Sequence, residues 1–218
     1  MDPNEPITSM IRKDGIRNII FDFGGVLFEI DYDLPATAFE KLGYPDFRAL
    51  YTQAAQNPIF DLLETGKVEN DTFLDFLHAF VPHATRGEVL HAWNVILLQI
   101  MPREVEFVHS IRQSGVRTFL LSNTNAIHVA EFEKMIAETM DFELFKSAFE
   151  KIYYSNVIGI KKPHPETFLQ VCEWNGLNPS ETLFIDDSRQ HVEGALSAGL
   201  HAYHLKPGER ISELLTSF

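Results

Sequence analysis

Two textures alternate along the chain, and in one place the alternation stops. Residues 18–22 are a short apolar run, Ile19-Ile20-Phe21, that delivers Asp22 into Gly24 and Gly25. Such a run of β-formers bounded by glycines reads as a buried strand. Residues 26–30 continue apolar up to the acidic Glu29, Asp31 and Asp33. Residues 116–121, 151–154, 183–185 and 201–205 share the strand texture. Between them, apolar positions recur every three or four residues and predict helices. One runs from Pro102 to Ser114 and is closed by Gly115, with Val105, Val108 and Ile111 on one face. Others cover 126–139, 165–175 before Gly176, and a stretch through Ala198 before Gly199. Continuous apolar strands alternating with helices imply an α/β fold, a Rossmann-like parallel sheet covered on both faces.

The break falls between Leu34 and about Met101. No strand is predicted there, only helical stripes interrupted by Gly43, Pro45, Pro58, Gly66 and Pro82. Phe73, Leu74, Phe76, Leu77 and Phe80 form one stripe; Val89, Leu90, Trp93, Ile96, Leu97 and Ile100 form another. Stripes at this spacing pack helix on helix. The expectation is therefore a sheet core made of residues 1–32 and 102–218, with an all-helical insert over 33–101.

Composition changes the picture mainly by exclusion. A net charge of −13 without any basic cluster argues against nucleic acid and against anionic membranes as partners. Cys172, the single cysteine, lies at helical spacing from Phe168 and Val171 and reads as a small buried apolar residue. Residues 1–14 are polar and lack the pattern of an export signal, and no apolar run approaches the roughly 18 residues of a membrane span. The expected setting is soluble, reducing and cytoplasmic. Oligomeric state is open at this level.

In a parallel sheet of this kind ligands bind beyond the carboxyl ends of the strands. Asp22, Ser122-Asn123, Lys162 and Asp186-Asp187 all lie at or just past such ends, so the fold gathers them into one pocket. Three carboxylates beside one lysine repel each other strongly unless a divalent cation sits among them, and hard oxygen ligands favour Mg²⁺. Metal, lysine and N–H donors suit a phosphoryl group. Asp22 could attack phosphorus as a nucleophile, with Lys162 neutralising charge and Ser122 holding the transferred group.

The segments Asp22-Phe23-Gly24-Gly25-Val26, Leu121-Ser122-Asn123-Thr124-Asn125, Gly159-Ile160-Lys161-Lys162-Pro163 and Phe184-Ile185-Asp186-Asp187-Ser188 occur in this order. Together they resemble the four signature motifs of the haloacid dehalogenase superfamily. Within it the chain is similar to sugar-phosphate phosphatases such as the α-D-glucose-1-phosphate phosphatases, and to the phosphatase domain of epoxide hydrolases. The resemblance implies a Mg²⁺-dependent phosphatase of a small phosphorylated metabolite. In it Asp22 is nucleophile and metal ligand, Ser122 and Asn123 hold phosphate, and Lys162 steadies nucleophile and phosphate. Gly24, through its carbonyl, Asp186 and Asp187 complete the metal site, and the insert resembles the helical cap of the family. One departure is plain: phosphatases of the family usually carry an acid–base aspartate two residues after the nucleophile, where this chain has Gly24. The dehalogenases and phosphonatases of the family also lack it. The latter need a cap lysine, for which Lys41 and Lys67 are the candidates, and a phosphate-ester binding protein with weak turnover is the non-enzymatic alternative.

Other local signals point elsewhere and fail on context. Asp22-Phe23-Gly24 also spells a kinase metal-binding tripeptide, but no glycine-rich loop, lysine or His-Arg-Asp loop precedes it. His201 and His204 fall on opposite faces of a strand. Asn70-Asp71-Thr72 reads as a helix start. Glu29, Asp31 and Asp33 read as solvated, with one of them conceivable as a substitute for the absent acid.

Overall fold

The computed structural model describes residues 15–51 and 58–215; the polar leader, 1–14, lies outside the described residues. The chain runs β1 (Asn18–Phe21), β2 (Phe28–Ile30), then helices α1 (Asp33–Lys41), α2 (Phe47–Leu50), α3 (Pro58–Glu64), α4 (Asn70–His78) and α5 (Arg86–Asn94). After β3 (Leu97–Ile100) come α6 (Pro102–Gln113), β4 (Arg117–Ser122), α7 (Ala126–Thr139), α8 (Phe142–Ser147), β5 (Lys151–Tyr154) and α9 (Ser155–Ile158). It closes with α10 (Pro165–Asn175), β6 (Thr182–Asp186), α11 (Arg189–Ser197), β7 (His201–His204) and α12 (Ile211–Leu214).

Five strands form one parallel sheet in the order β5-β4-β1-β6-β7. Phe21 stands level with Leu120 and Ile185, so the three central strands end side by side. The period-2 alternation of a strand divides β1 between two cores. Ile19 and Phe21 join Val105, Val108, Ile111, Phe132 and Ile136 under α6 and α7. Ile20 joins Phe168, Val171, Cys172, Phe184 and Ala195 under α10 and α11. Both faces are covered, as the continuous apolar runs require. Cys172 is buried in the second core, and burial pushes its thiol up to about 11. Among the described residues no helix is long and apolar enough to cross a membrane.

The expectation of an all-helical segment up to residue 101 is corrected by β3. Helix α5 ends at Asn94, and Leu97–Ile100 pairs antiparallel with β2, Phe28 opposite Ile100 and Glu29 opposite Gln99. Asp31 N donating to Ile96 O and Met101 N to Leu27 O extend the ribbon at both ends. Ile96, Leu97 and Ile100 fit a helical stripe by spacing alone, but their partner strand lies some 70 residues earlier, and only that pairing satisfies their backbone groups. The chain thus leaves the sheet core and re-enters it through a two-stranded ribbon.

Between the two arms of the ribbon, α1 to α5 enclose a third core of Phe39, Phe47, Tyr51, Phe60, Phe73, Leu77, Val89 and Trp93. Helix α5 starts sharply because Thr85 forms a capping box: its side chain accepts from Glu88 N while the Glu88 carboxylate accepts from Thr85 N. Asn70 begins α4, as its sequence context indicates.

Candidate active site

Asp22 extends the β1–β6 ladder by one residue, its N–H donating to Ile185 O at 2.9 Å. The chain then curls at once. Phe23 O accepts from the N–H groups of Val26, Leu27 and Phe28, and Gly25 supplies the left-handed turn with φ +74°. A β-carbon on Gly25 would lie 2.3 Å from Asp187 Oδ2, so this glycine lets the turn and the Asp187 carboxylate occupy the same place. At Gly24 a β-carbon would come within 2.7 Å of Ile30 Cδ1.

Lys162 is fully buried and its ammonium meets the carboxylates at the ends of β1 and β6. Its Nζ donates to Asp22 Oδ1 at 2.6 Å and to Asp186 Oδ2 at 2.7 Å, and it lies 5.2 Å from the centroid of the Phe184 ring. Its backbone is clasped by Asn123, whose Oδ1 accepts from Lys162 N at 3.0 Å and whose Nδ2 donates to Lys162 O at 2.9 Å. The Asn123 amide is therefore engaged with the lysine loop. Ser122, the last residue of β4, is buried and lines the cavity next to it. Ser155 fixes the following turn, accepting from Thr124 N and donating to Thr124 O.

The three carboxylates differ sharply in their compensation. Asp186 is embraced: besides Lys162, Ser188 N donates to its Oδ1 at 2.7 Å and His191 Nδ1 lies 3.0 Å from its Oδ2. Although burial alone would raise it, Lys162 and His191 bring it down to about 2. Asp22 is pushed up to about 6 by burial and by Asp186, and Asp187 to about 7 by burial and by Asp22. Among the described residues no cation forms an ion pair with Asp187. Negative charge is thus in excess on the side where Asp22 faces Asp187, which is the chemistry of a divalent-cation site. Oxygen and nitrogen ligand atoms of Asp22, Asp186 and His191 also lie within 4.8 Å of one another. The carboxylate oxygens of Asp22 and Asp187, rather than the His191 nitrogen, are the donors that fit a hard metal.

A cavity of about 310 Å³ lies beside the carboxylates, lined by their neighbours Gly24, Lys162 and His191 rather than by Asp22, Asp186 or Asp187 themselves. Gly24, Ser122, Asn123, Lys162 and His191 line its inner end, and Tyr32, Tyr51, Asp61, Glu64 and Lys161 its outer end. The structure therefore brings Asp22, Gly24, Ser122, Asn123, Lys162, Asp186 and Asp187 to one place. Glu29, Asp31 and Asp33 are turned outward: Glu29 meets Gln99 and Arg210, Asp31 caps Asp33 N, and Asp33 pairs with Arg48. Neither Lys41 nor Lys67 lines the cavity. His201 and His204 bond to the backbone carbonyls of Ser180 and Asp187.

The sequence reading missed His191, Glu64, Lys161 and Tyr32. For His191 a signal exists, since a residue five positions after Asp186 sits on the first turn of the next helix and faces the strand end. Glu64 and Lys161 carry a weaker one, an acidic pair spaced three apart on a helix and a tandem lysine.

Residues 16–199 match the family model of haloacid dehalogenase-like hydrolases. Over 207 residues, 92% of this chain and 97% of the relative, the chain is 31% identical to a D-ribitol-5-phosphate phosphatase from Bacteroides thetaiotaomicron. A haloacid dehalogenase family enzyme of that organism, solved with magnesium and inorganic phosphate, superposes with a TM-score of 0.78 at 30% identity, covering 92% of this chain and 99% of that one. A haloacid dehalogenase-like hydrolase from Porphyromonas gingivalis gives 0.77 at 30% identity, covering 94% and 100%. The L-2-haloacid dehalogenase of Xanthobacter autotrophicus shares the fold, with a TM-score of 0.57 at 18% identity over 87% of this chain and 77% of that one. With its parallel sheet, its four strand-end motifs in order and a family match across most of its length, the chain belongs to the haloacid dehalogenase-like hydrolases.

Proposed function

We propose that the protein is a Mg²⁺-dependent phosphatase that hydrolyses a small phosphate monoester, a sugar or polyol phosphate first of all, through an aspartyl-phosphate at Asp22. The observation that carries this reading is the placement of Lys162 Nζ between Asp22 and Asp186, which leaves Asp22 facing an uncompensated Asp187. Support also comes from the relatives, one named as a ribitol phosphate phosphatase and one solved with magnesium and phosphate.

Lys162 fixes Oδ1 of Asp22, so the other carboxylate oxygen is the one directed at phosphorus. The bond from that oxygen to phosphorus forms as the bond to the ester oxygen breaks, and water then cleaves the acyl phosphate to release phosphate and restore Asp22. Ser122 donates to the phosphoryl oxygens, and Asn123 keeps Lys162 in register. Asp186, held by Ser188 N and His191, anchors the lysine ammonium. Asp22, Asp187 and the Gly24 carbonyl would hold Mg²⁺, which when bound supplies the positive charge that the facing carboxylates and the phosphoryl group require. Gly24 offers no acid, so the leaving oxygen takes its proton from water or from another cavity group, and good leaving groups are favoured. The segment 33–101 serves as a cap that closes the outer end of the cavity over a small substrate, with 1–32 and 102–218 as the core.

Phosphate release from a panel of metabolite monoesters with Mg²⁺, with and without chelator, tests the reading. Turnover should vanish in Asp22→Asn and on chelation, and beryllofluoride should occupy Asp22. Release no faster than in Asp22→Asn, or full activity after chelation, overturns it.

A further inference from the structure

Several side chains of the cavity carry exchangeable protons, and most are committed. Lys162 is held by Asp22 and Asp186, and Lys161 by Asp61 and Glu64. His191 directs Nδ1 at Asp186, and His128 uses both ring nitrogens, on Asn125 and on Trp93 O. Tyr32 is different. Among the described residues its hydroxyl enters no hydrogen bond, yet it is not sealed in the interior, so it opens on the cavity that the residue lines. The ribbon sets its place. Phe28, Ile30 and Tyr32, every second residue of the outgoing arm, line the cavity, whereas Glu29 and Asp31 turn away to Gln99 and to Asp33 N. Asp31 N donates to Ile96 O at 3.0 Å and Asp31 O accepts from Leu34 N at 3.3 Å, which pins the backbone on both sides of Tyr32. Ile30 Cδ1 occupies the space that a side chain at Gly24 would enter. The arm that closes off position 24 therefore brings a phenol into the same cavity two residues later.

From this arrangement we propose that Tyr32 is the catalytic acid, its hydroxyl donating the proton that the leaving oxygen takes as the bond to phosphorus breaks. This rests on the phosphatase reading of the same cavity. Asp22 attacks from the strand ends, and an in-line displacement puts the leaving oxygen on the far side of phosphorus, toward the outer end where Tyr32 stands. The groups that face the phenol are Tyr51 and Glu64 from the helical segment and Asp187 and Asp22 from the sheet core. Together with burial they hold it well above its ordinary value, so it is protonated at neutral pH. Tyr51, the other phenol of this wall, has only Glu64 facing it among the carboxylates. An alkoxide is a stronger base than a phenolate, so transfer from the phenol to a sugar or polyol oxygen runs downhill, whereas p-nitrophenolate leaves without a proton. The proton passes to the alcohol as its oxygen parts from phosphorus. The phenolate regains one from the water that then attacks the acyl phosphate, and the oxygen of that water leaves in the released phosphate.

The test is Tyr32→Phe, which keeps the ring and removes only the hydroxyl, assayed with Mg²⁺ on D-ribitol 5-phosphate, phenyl phosphate and p-nitrophenyl phosphate, whose leaving groups fall in basicity in that order. The ratio kcat/KM covers the steps up to release of the leaving group, before water attacks, and so reads the proton donation alone. It should fall about 30-fold or more on ribitol 5-phosphate and less than about threefold on p-nitrophenyl phosphate, with phenyl phosphate between them. The retained p-nitrophenyl phosphate activity is the internal measure of a folded site, and a hydroxyl that merely supported the wall would not sort substrates by leaving-group basicity. His164→Gln and Tyr51→Phe examine the two other cavity groups with a proton to give. Equal losses on all three substrates in Tyr32→Phe, no loss on ribitol 5-phosphate, or the graded loss appearing in His164→Gln or Tyr51→Phe instead, overturns the proposal and leaves the phosphatase reading intact. No phosphate release from any of the three by the wild type overturns both.

Discussion

The methyl end of Ile30 fills the space that a side chain at residue 24 would enter. Gly24 is therefore coupled to an apolar side chain on the ribbon that leads out of the core. This gives the departure at Gly24 a testable form. Gly24→Asp alone has to displace a flexible side-chain end, whereas Gly24→Asp with Ile30→Ala has room for the carboxyl group. General acid–base catalysis contributes about 10²–10⁴-fold where a leaving group needs a proton. The double variant should gain about tenfold or more in kcat on alkyl phosphates and little on p-nitrophenyl phosphate, whose leaving group needs none. Steady-state kinetics on the two classes measures it. The glycine itself is legible in the chain, because a motif with one position missing stands out. Ile30 is not, since nothing in its local pattern tells an ordinary strand residue from one whose tip lies against Gly24. The same holds for Asn123: its neighbours mark it as a strand-end polar residue, but only the fold shows its amide spent on the backbone of Lys162.

Among the elements, α11 sets the position of the lysine loop through an absence. A β-carbon on Gly194 would lie 2.0 Å from Pro163 O and 2.9 Å from Pro163 C, backbone atoms next to Lys162. Gly194→Ala should therefore push that loop outward, lowering kcat about tenfold or more and destabilising the fold by about 1–3 kcal/mol. Gly87→Ala is the matched comparison. It too lies within a helix, but its nearest neighbour is Thr85 Oγ1 at 4.0 Å, so it should be neutral or slightly stabilising with unchanged kinetics. Thermal denaturation and kinetics on both variants separate the two outcomes. The core helices and strands were readable because each carries its own punctuation, such as Pro102, Pro165, Gly176 and Gly199. β3 was not, because a four-residue arm of a ribbon has no periodicity long enough to outvote a helical stripe, and its identity depends on Phe28–Ile30 far away in the chain.

For the molecule as a whole, the helical segment and the sheet core meet at a buried histidine. His128, in the first turn of α7, stacks on Trp93 with ring centroids 4.7 Å apart, and its Nε2 donates to Trp93 O at 3.4 Å. Its Nδ1 accepts from Asn125 Nδ2, whose Oδ1 is already engaged by the N–H groups of Ile127 and His128. The ring is thus held neutral, and burial lowers it to about 4 from an ordinary 6.5. Between these two values the unfolded chain takes up a proton that the folded chain refuses, so this contribution is complete above about pH 6.5 and is lost as pH falls. The loss reaches about 3 kcal/mol near pH 4. Denaturation midpoints should fall more steeply between pH 7 and pH 5 in the wild type than in His128→Asn; parallel slopes would refute it. At this scale the convergence of Asp22, Ser122 and Asp186 was foreseeable, since three neighbouring strands of a parallel sheet must end together. Which residues of the helical segment face them was not, because that depends on how two separately packed cores are set against each other.

Lys161 and Lys162 are consecutive, yet one is tied to α3 and the other to Asp22 and Asp186. Any lifting of α3 away from the core must break the pairs of Lys161, and the first peptide to bear that load is the one that carries Lys162. The seating of α3 on the core and the seating of Asp22 and Asp186 are in this way mechanically joined across a single bond of the main chain.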